Sequence, residues 1–64
     1  MKKNNITWKP EKIKNLRKKL NLTQKQLAKK LGFKSYMPIW EYETGRRIPN
    51  LRVQTILNIL EEKV

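Results

Sequence analysis

Residues 23–49 read TQKQLAKKLGFKSYMPIWEYETGRRIP, and this stretch decides the fold. It opens on Thr23 with Gln26 three residues on, the T-x-x-Q form of a capping box, while Leu22 and Leu27 occupy the two positions of a hydrophobic staple. Leu27, Ala28 and Leu31 then recur at helical spacing, and Gly32 is a residue that can leave a helix in the left-handed conformation. The spacing predicts a helix from about Thr23 to Lys30. A second helix follows Phe33 and Lys34, from about Ser35 to Glu43. Ser35 is a capping residue type, Ile39 and Tyr42 are the inward positions, Glu43 ends the last full turn, and Gly45 stops the helix. Pro38 complicates the start. With Ser35 as cap, Pro38 is the third helical residue and offers no amide, and it disfavours helical geometry at Met37. The alternative is a start at Pro38, with Tyr36 and Met37 extended.

The same reading extends outward. Upstream, Pro10 suits a first helical position and Glu11 favours the positive helix end. Ile13, Leu16 and Leu20 then form one stripe, flanked by Arg17, which predicts a helix from about Pro10 to Leu20. Downstream, the loop 45–50 leads to a fourth helix, capped by Asn50, whose stripe is Val53, Ile56, Leu57 and Leu60. No strand pattern competes. The expected fold is all-α, with a flexible basic segment over residues 1–9 and a single domain over residues 10–64. Trp8 is expected to pin the N-terminal segment to the core or its edge.

A 64-residue chain is one small domain with a thin core. His and Cys are absent, which removes the usual general base, the thiolate and imidazole metal ligands, and disulfides. Asp is absent as well, and the five Glu do not converge in the sequence. An enzyme is therefore not expected, and neither a cofactor, a metal nor a small-molecule ligand is expected. The segment MKKNNITWKP has no apolar run suited to a signal peptide or a membrane span, so a cytoplasmic, nucleoid-associated location without a membrane partner is the expectation. The formal net charge is +11. Residues 1–34 hold twelve Lys and Arg against Glu11, whereas residues 35–64 balance four against four. A basic half of this kind attracts polyanions and speeds encounter with them.

Two short helices across a Gly-containing turn, in a small basic helical domain, make a helix-turn-helix arrangement. The residues TQKQLAKKLG, then S-x-x-x-I, then YETGRRIP resemble the XRE family of phage-repressor and Cro-like regulators over about Ile13 to Leu60. The resemblance implies a lambda-repressor-like four-helix domain that binds double-stranded DNA with its second motif helix in the major groove. It implies base contacts by Tyr36, Met37, Trp40 and Glu41. Phosphate contacts fall to Gln24, Lys25, Lys34, Ser35, Thr44, Arg46 and Arg47, with Gln24 also bracing the recognition helix. Arg17 and Glu43 match a family salt bridge, in keeping with Arg17 on the shoulder of an apolar stripe. Ile48, Leu51 and Ile59 are ordinary core or rim residues, or else a two-fold dimer patch, because family members often dimerise through this region. A homodimeric repressor on an inverted-repeat operator is the leading expectation.

The chain departs from the family in three places. The Gly32-Phe33-Lys34 turn is one residue longer, Pro38 is unusual, and the fourth helix is one residue out of phase. The recognition helix also has no Lys, Arg, Asn or Gln, the types that most often read base edges. Tyr36 and Met37 against thymine methyls, and Glu41 accepting from a cytosine amino group, are the contacts that remain. Two other functions share this sequence. One is a protein-interaction module, an antitoxin part or a phage-encoded partner of a host protein, favoured by Trp40, Tyr36 and Met37. The other is general nucleic-acid binding through charge alone.

Overall fold

A computed structural model describes residues 8–64. It holds four helices, α1 (Pro10–Lys19), α2 (Gln24–Lys30), α3 (Met37–Thr44) and α4 (Leu51–Glu61), and no strand among the described residues. Three of the four helices begin for a local reason. Pro10 sits in the first turn of α1, where amides have no intrahelical partner. At α2 the capping box is complete: the Gln26 amide donates to Thr23 Oγ1 at 3.1 Å, and the Thr23 amide donates to Gln26 Oε1 at 2.9 Å. At α4, the Val53 amide donates to Asn50 Oδ1 at 2.9 Å.

The first three helices all end on a left-handed residue, at Asn21 (φ 57°), Gly32 (φ 88°) and Gly45 (φ 82°). Asn21 and Leu22 donate back to Lys18 and Arg17, and Gly32 and Phe33 donate back to Lys29 and Ala28. These paired bonds satisfy the last carbonyls of α1 and α2 and turn the chain sharply. At Gly45 a β-carbon would lie 3.8 Å from Pro10 Cγ, an ordinary contact. Gly45→Ala should therefore lose only the left-handed backbone preference, about 1–2 kcal/mol, read as a lower urea midpoint with an unchanged slope.

Two boundaries differ from the sequence expectation. Ser35 does not cap α3, which starts at Met37 and not at Ser35 or Pro38. Tyr36 occupies the cap position in helical geometry (φ −74°, ψ −16°) without a side-chain cap, so it is not extended. Pro38 then falls in the first turn, where its missing amide is harmless, and the Ile39 and Trp40 amides both donate to the Tyr36 carbonyl. The second difference is at the N-terminus. Residues 1–7 lie outside the described residues, but Trp8 is 1% exposed and belongs to the core. Trp8, placed by the sequence expectation in the segment before the domain, thus packs with the domain core, in keeping with its expected part as an anchor.

Ile13 and Leu16 from α1, Leu27 and Ala28 from α2, Leu31 just after it, Ile39 and Tyr42 from α3, and Val53 and Leu57 from α4 complete that core. Trp8 Nε1 donates to Asn58 Oδ1 at 2.7 Å, and the Lys12 ammonium lies 4.4 Å from the Trp8 ring centroid. These contacts tie the start of the domain to α4 and α1. Helix α3 packs against both α1 and α2, which leaves its opposite face to solvent.

Candidate nucleic-acid interface

The inward residues of α3 decide what its outward residues can do. Ile39 and Tyr42 are buried, and Phe33 packs on Tyr42 with ring centroids 6.3 Å apart. Burial raises the Tyr42 hydroxyl above its ordinary pKa of 10.0, with Arg47 opposing and Glu41 adding to the shift. Because the folded state holds that proton more tightly, its stabilising effect is complete below about pH 10 and is lost as pH rises further. With the inner face fixed, Tyr36, Met37 and Trp40 are presented outward and are exposed.

An ion pair locks α3 to α1 and α2. Glu43 accepts from Arg17 Nε at 2.6 Å and from Arg17 Nη2 at 3.3 Å. Arg17 Nη1 also donates to the Leu22 carbonyl at 3.0 Å, between α1 and α2. Gln24, the first residue of α2, donates from Nε2 to Glu43 Oε1 at 3.2 Å. One carboxylate near the end of α3 is thus held by both preceding helices, which sets the crossing of the two motif helices. The expected Arg17–Glu43 pair is present, and Gln24 braces α3 through its side chain.

The loop after α3 folds back on that helix. The Arg46 and Arg47 amides donate to the Glu41 carbonyl at 2.9 and 3.3 Å, and the Thr44 hydroxyl donates to the Trp40 carbonyl at 2.9 Å. Two side-chain contacts follow the same path. The Arg46 guanidinium lies over the Trp40 ring, 5.0 Å from its centroid, a geometry in which the ring face attracts the cation. Arg47 Nε lies 3.0 Å from Glu41 Oε1. Sequence reasoning placed Trp40 and Glu41 among base readers and the arginines among phosphate contacts, and did not pair them. The pairing depends on the left-handed turn at Gly45, and the Y-E-T-G-R-R spacing is its only local trace.

Lys25, Lys34 and Ser35 are exposed around the start of α2 and α3. Arg52, outside the expected set, extends from α4 toward the motif turn, where its Nη2 would lie 3.0 Å from a β-carbon at Gly32. Ile48, Leu51 and Ile59 are 60%, 80% and 51% exposed, so none is a core residue of the single chain. Ile48 borders an apolar hollow formed with Trp8, Pro10, Tyr42 and Pro49. Among the described residues there is no group of three or more His, Cys, Asp or Glu placed to hold a metal. No helix among them is long and apolar enough to cross a membrane.

A family model described as helix-turn-helix matches residues 13–60. No curated protein and no solved structure matches the chain. The matched span runs from the α1 stripe through the brace on Glu43 to Leu60 in α4, covering both motif helices and the loop that carries Arg46 and Arg47. The chain belongs to the helix-turn-helix family of XRE type, a family of DNA-binding domains.

Proposed function

We propose that this chain is a sequence-specific transcriptional regulator, a repressor that binds an inverted-repeat operator as a homodimer. In this reading α3 enters the major groove and α2 crosses the backbone, with Gln24 and Lys25 toward the phosphates. Thr44, Arg46, Arg47, Lys34 and Ser35 supply further phosphate contacts. The observation that carries the reading is the division of α3 into two faces. Ile39, Tyr42 and Glu43 are committed to the domain, while Tyr36, Met37 and Trp40 are left outward on a rigidly held helix. Without amide or guanidinium readers of its own, α3 discriminates by apolar contact, Tyr36 and Met37 lying on thymine methyl groups. The exposed Ile48, which borders the hollow at Trp8 and Pro49, and the exposed Leu51 and Ile59 form the contact between two copies.

Selection from a random duplex pool at physiological salt tests this. The expected product is a palindromic consensus whose half-sites lie about 10–10.5 base pairs apart or a multiple of that, with thymines at the positions facing Tyr36 and Met37. Tyr36→Ala and Met37→Ala should each flatten the preference at those positions while non-specific binding persists. Binding without any consensus would leave only charge-driven association with nucleic acid. A second reading is favoured by the same outward face: three exposed aromatic and Met side chains are typical of a protein-binding surface. That reading gains if the pool yields neither a consensus nor tight binding and Trp40→Ala abolishes a stoichiometric protein complex.

A further inference from the structure

Glu41 is the one acidic residue on the outward side of the recognition helix, and its position is paradoxical. A lone carboxylate facing a duplex is repelled by the phosphates, yet Glu41 lies two residues before Glu43, on a face turned away from the Arg17 pair. Its surroundings resolve this. The Glu41 side chain is only 26% exposed, and its Oε1 is 3.0 Å from Arg47 Nε. Its own backbone carbonyl accepts from the Arg46 and Arg47 amides. The loop arginine is therefore tied to Glu41 by the main chain and by charge together, while its side chain stays half exposed. A carboxylate engaged in this way has no need of a cytosine amino group.

We infer that Glu41 is a positioning residue: it sets Arg47 as a phosphate contact and does not read a base. The inference rests on the DNA-binding reading above and assigns Glu41 a different part in it. An arginine already held in place spares binding the ordering of a long side chain, which is worth a factor of about two to ten in affinity. The ion pair also cancels the repulsion that the carboxylate would otherwise contribute.

The test is a cycle of Glu41→Ala, Arg47→Ala and the double variant, measured on a selected duplex and on a random one. Glu41→Gln serves as the variant that keeps the shape and removes the charge. Thermal melting shows that each variant stays folded. Glu41→Ala and Glu41→Gln should weaken binding about two- to ten-fold on both duplexes, with the selected consensus unchanged. Arg47→Ala should weaken both duplexes and lower the salt slope by about one. In the Arg47→Ala background, removing Glu41 should cause no further loss. A change of preference at one base pair that persists without Arg47 would make Glu41 a base reader and overturn the inference. Tighter binding by Glu41→Ala would do the same by making Glu41 a source of repulsion only. Failure of the wild-type chain to bind any duplex would defeat the DNA-binding reading itself, a result distinct from either.

Discussion

Trp8→Ala should destabilise the domain by about 3–5 kcal/mol, the usual range for truncating a buried Trp. The side chain is 1% exposed, belongs to the hydrophobic core, and donates to Asn58 Oδ1 at 2.7 Å. A domain of 64 residues has a total stability of only about 3–10 kcal/mol, so the variant should lose a large part of it. Circular dichroism on heating reads this directly. Since 1 kcal/mol moves the midpoint of so small a domain by about 4–8 °C, the midpoint should fall by more than about 12 °C. Trp8→Phe separates packing from hydrogen bonding: it keeps an aromatic ring in the core and leaves Asn58 without its donor. That loss should be about 1 kcal/mol from the bond, with a smaller packing contribution. A Trp8→Ala protein melting within a few degrees of wild type would show that the N-terminal segment is not part of the folding unit.

The partner of Trp8 marks where local sequence reasoning stops. The starts of α2 and α4 were legible because a capping box and an Asn cap are interactions over three residues, written wholly within Thr23–Gln26 and Asn50–Val53. The Gly32 and Gly45 exits were legible for the same reason. At α3 the competition was closer. Ser35 has a capping side chain, but using it would place Pro38 third in the helix. Starting at Met37 moves the proline into the first turn, and tertiary burial of Ile39 and Tyr42 fixes the register. Trp8 was expected as an anchor at the core or its edge, and it is buried; its partner fifty residues away, Asn58, was not legible. The site divides along the same line. Outward placement of Tyr36, Met37 and Trp40 follows from the helical period once Ile39 and Tyr42 are inward. The Arg17–Glu43 pair was implied by family resemblance and not by spacing, because the residues stand on different helices. The pairing of Trp40 with Arg46 and Glu41 with Arg47 needs the reversal at Gly45, which periodicity does not describe.

Glu43→Ala should be the most damaging change within the motif itself. The Glu43 and Arg17 side chains are 5% and 15% exposed, so removing the carboxylate leaves a guanidinium out of water with the Leu22 carbonyl as its remaining partner. Breaking a buried pair from one side is worth about 3–5 kcal/mol, again comparable with the whole stability of the domain. Arg17→Ala should be as severe, since Glu43 would keep only the Gln24 amide. The pair is not thereby a large net source of stability, because both charges must first leave water. Arg17→Met combined with Glu43→Leu removes both charges and fills similar volume, so the double variant should recover most of the loss in urea unfolding. It should not recover DNA binding to the same degree. Gln24 would lose its anchor on Glu43, and the brace between α2 and α3 would go with it. A folded double variant with weakened duplex affinity is therefore the expected result. If each single variant lost less than about 1 kcal/mol, the pair would behave as an exposed one. If the folded double variant bound duplexes as tightly as wild type, Gln24 would owe nothing of its function to Glu43.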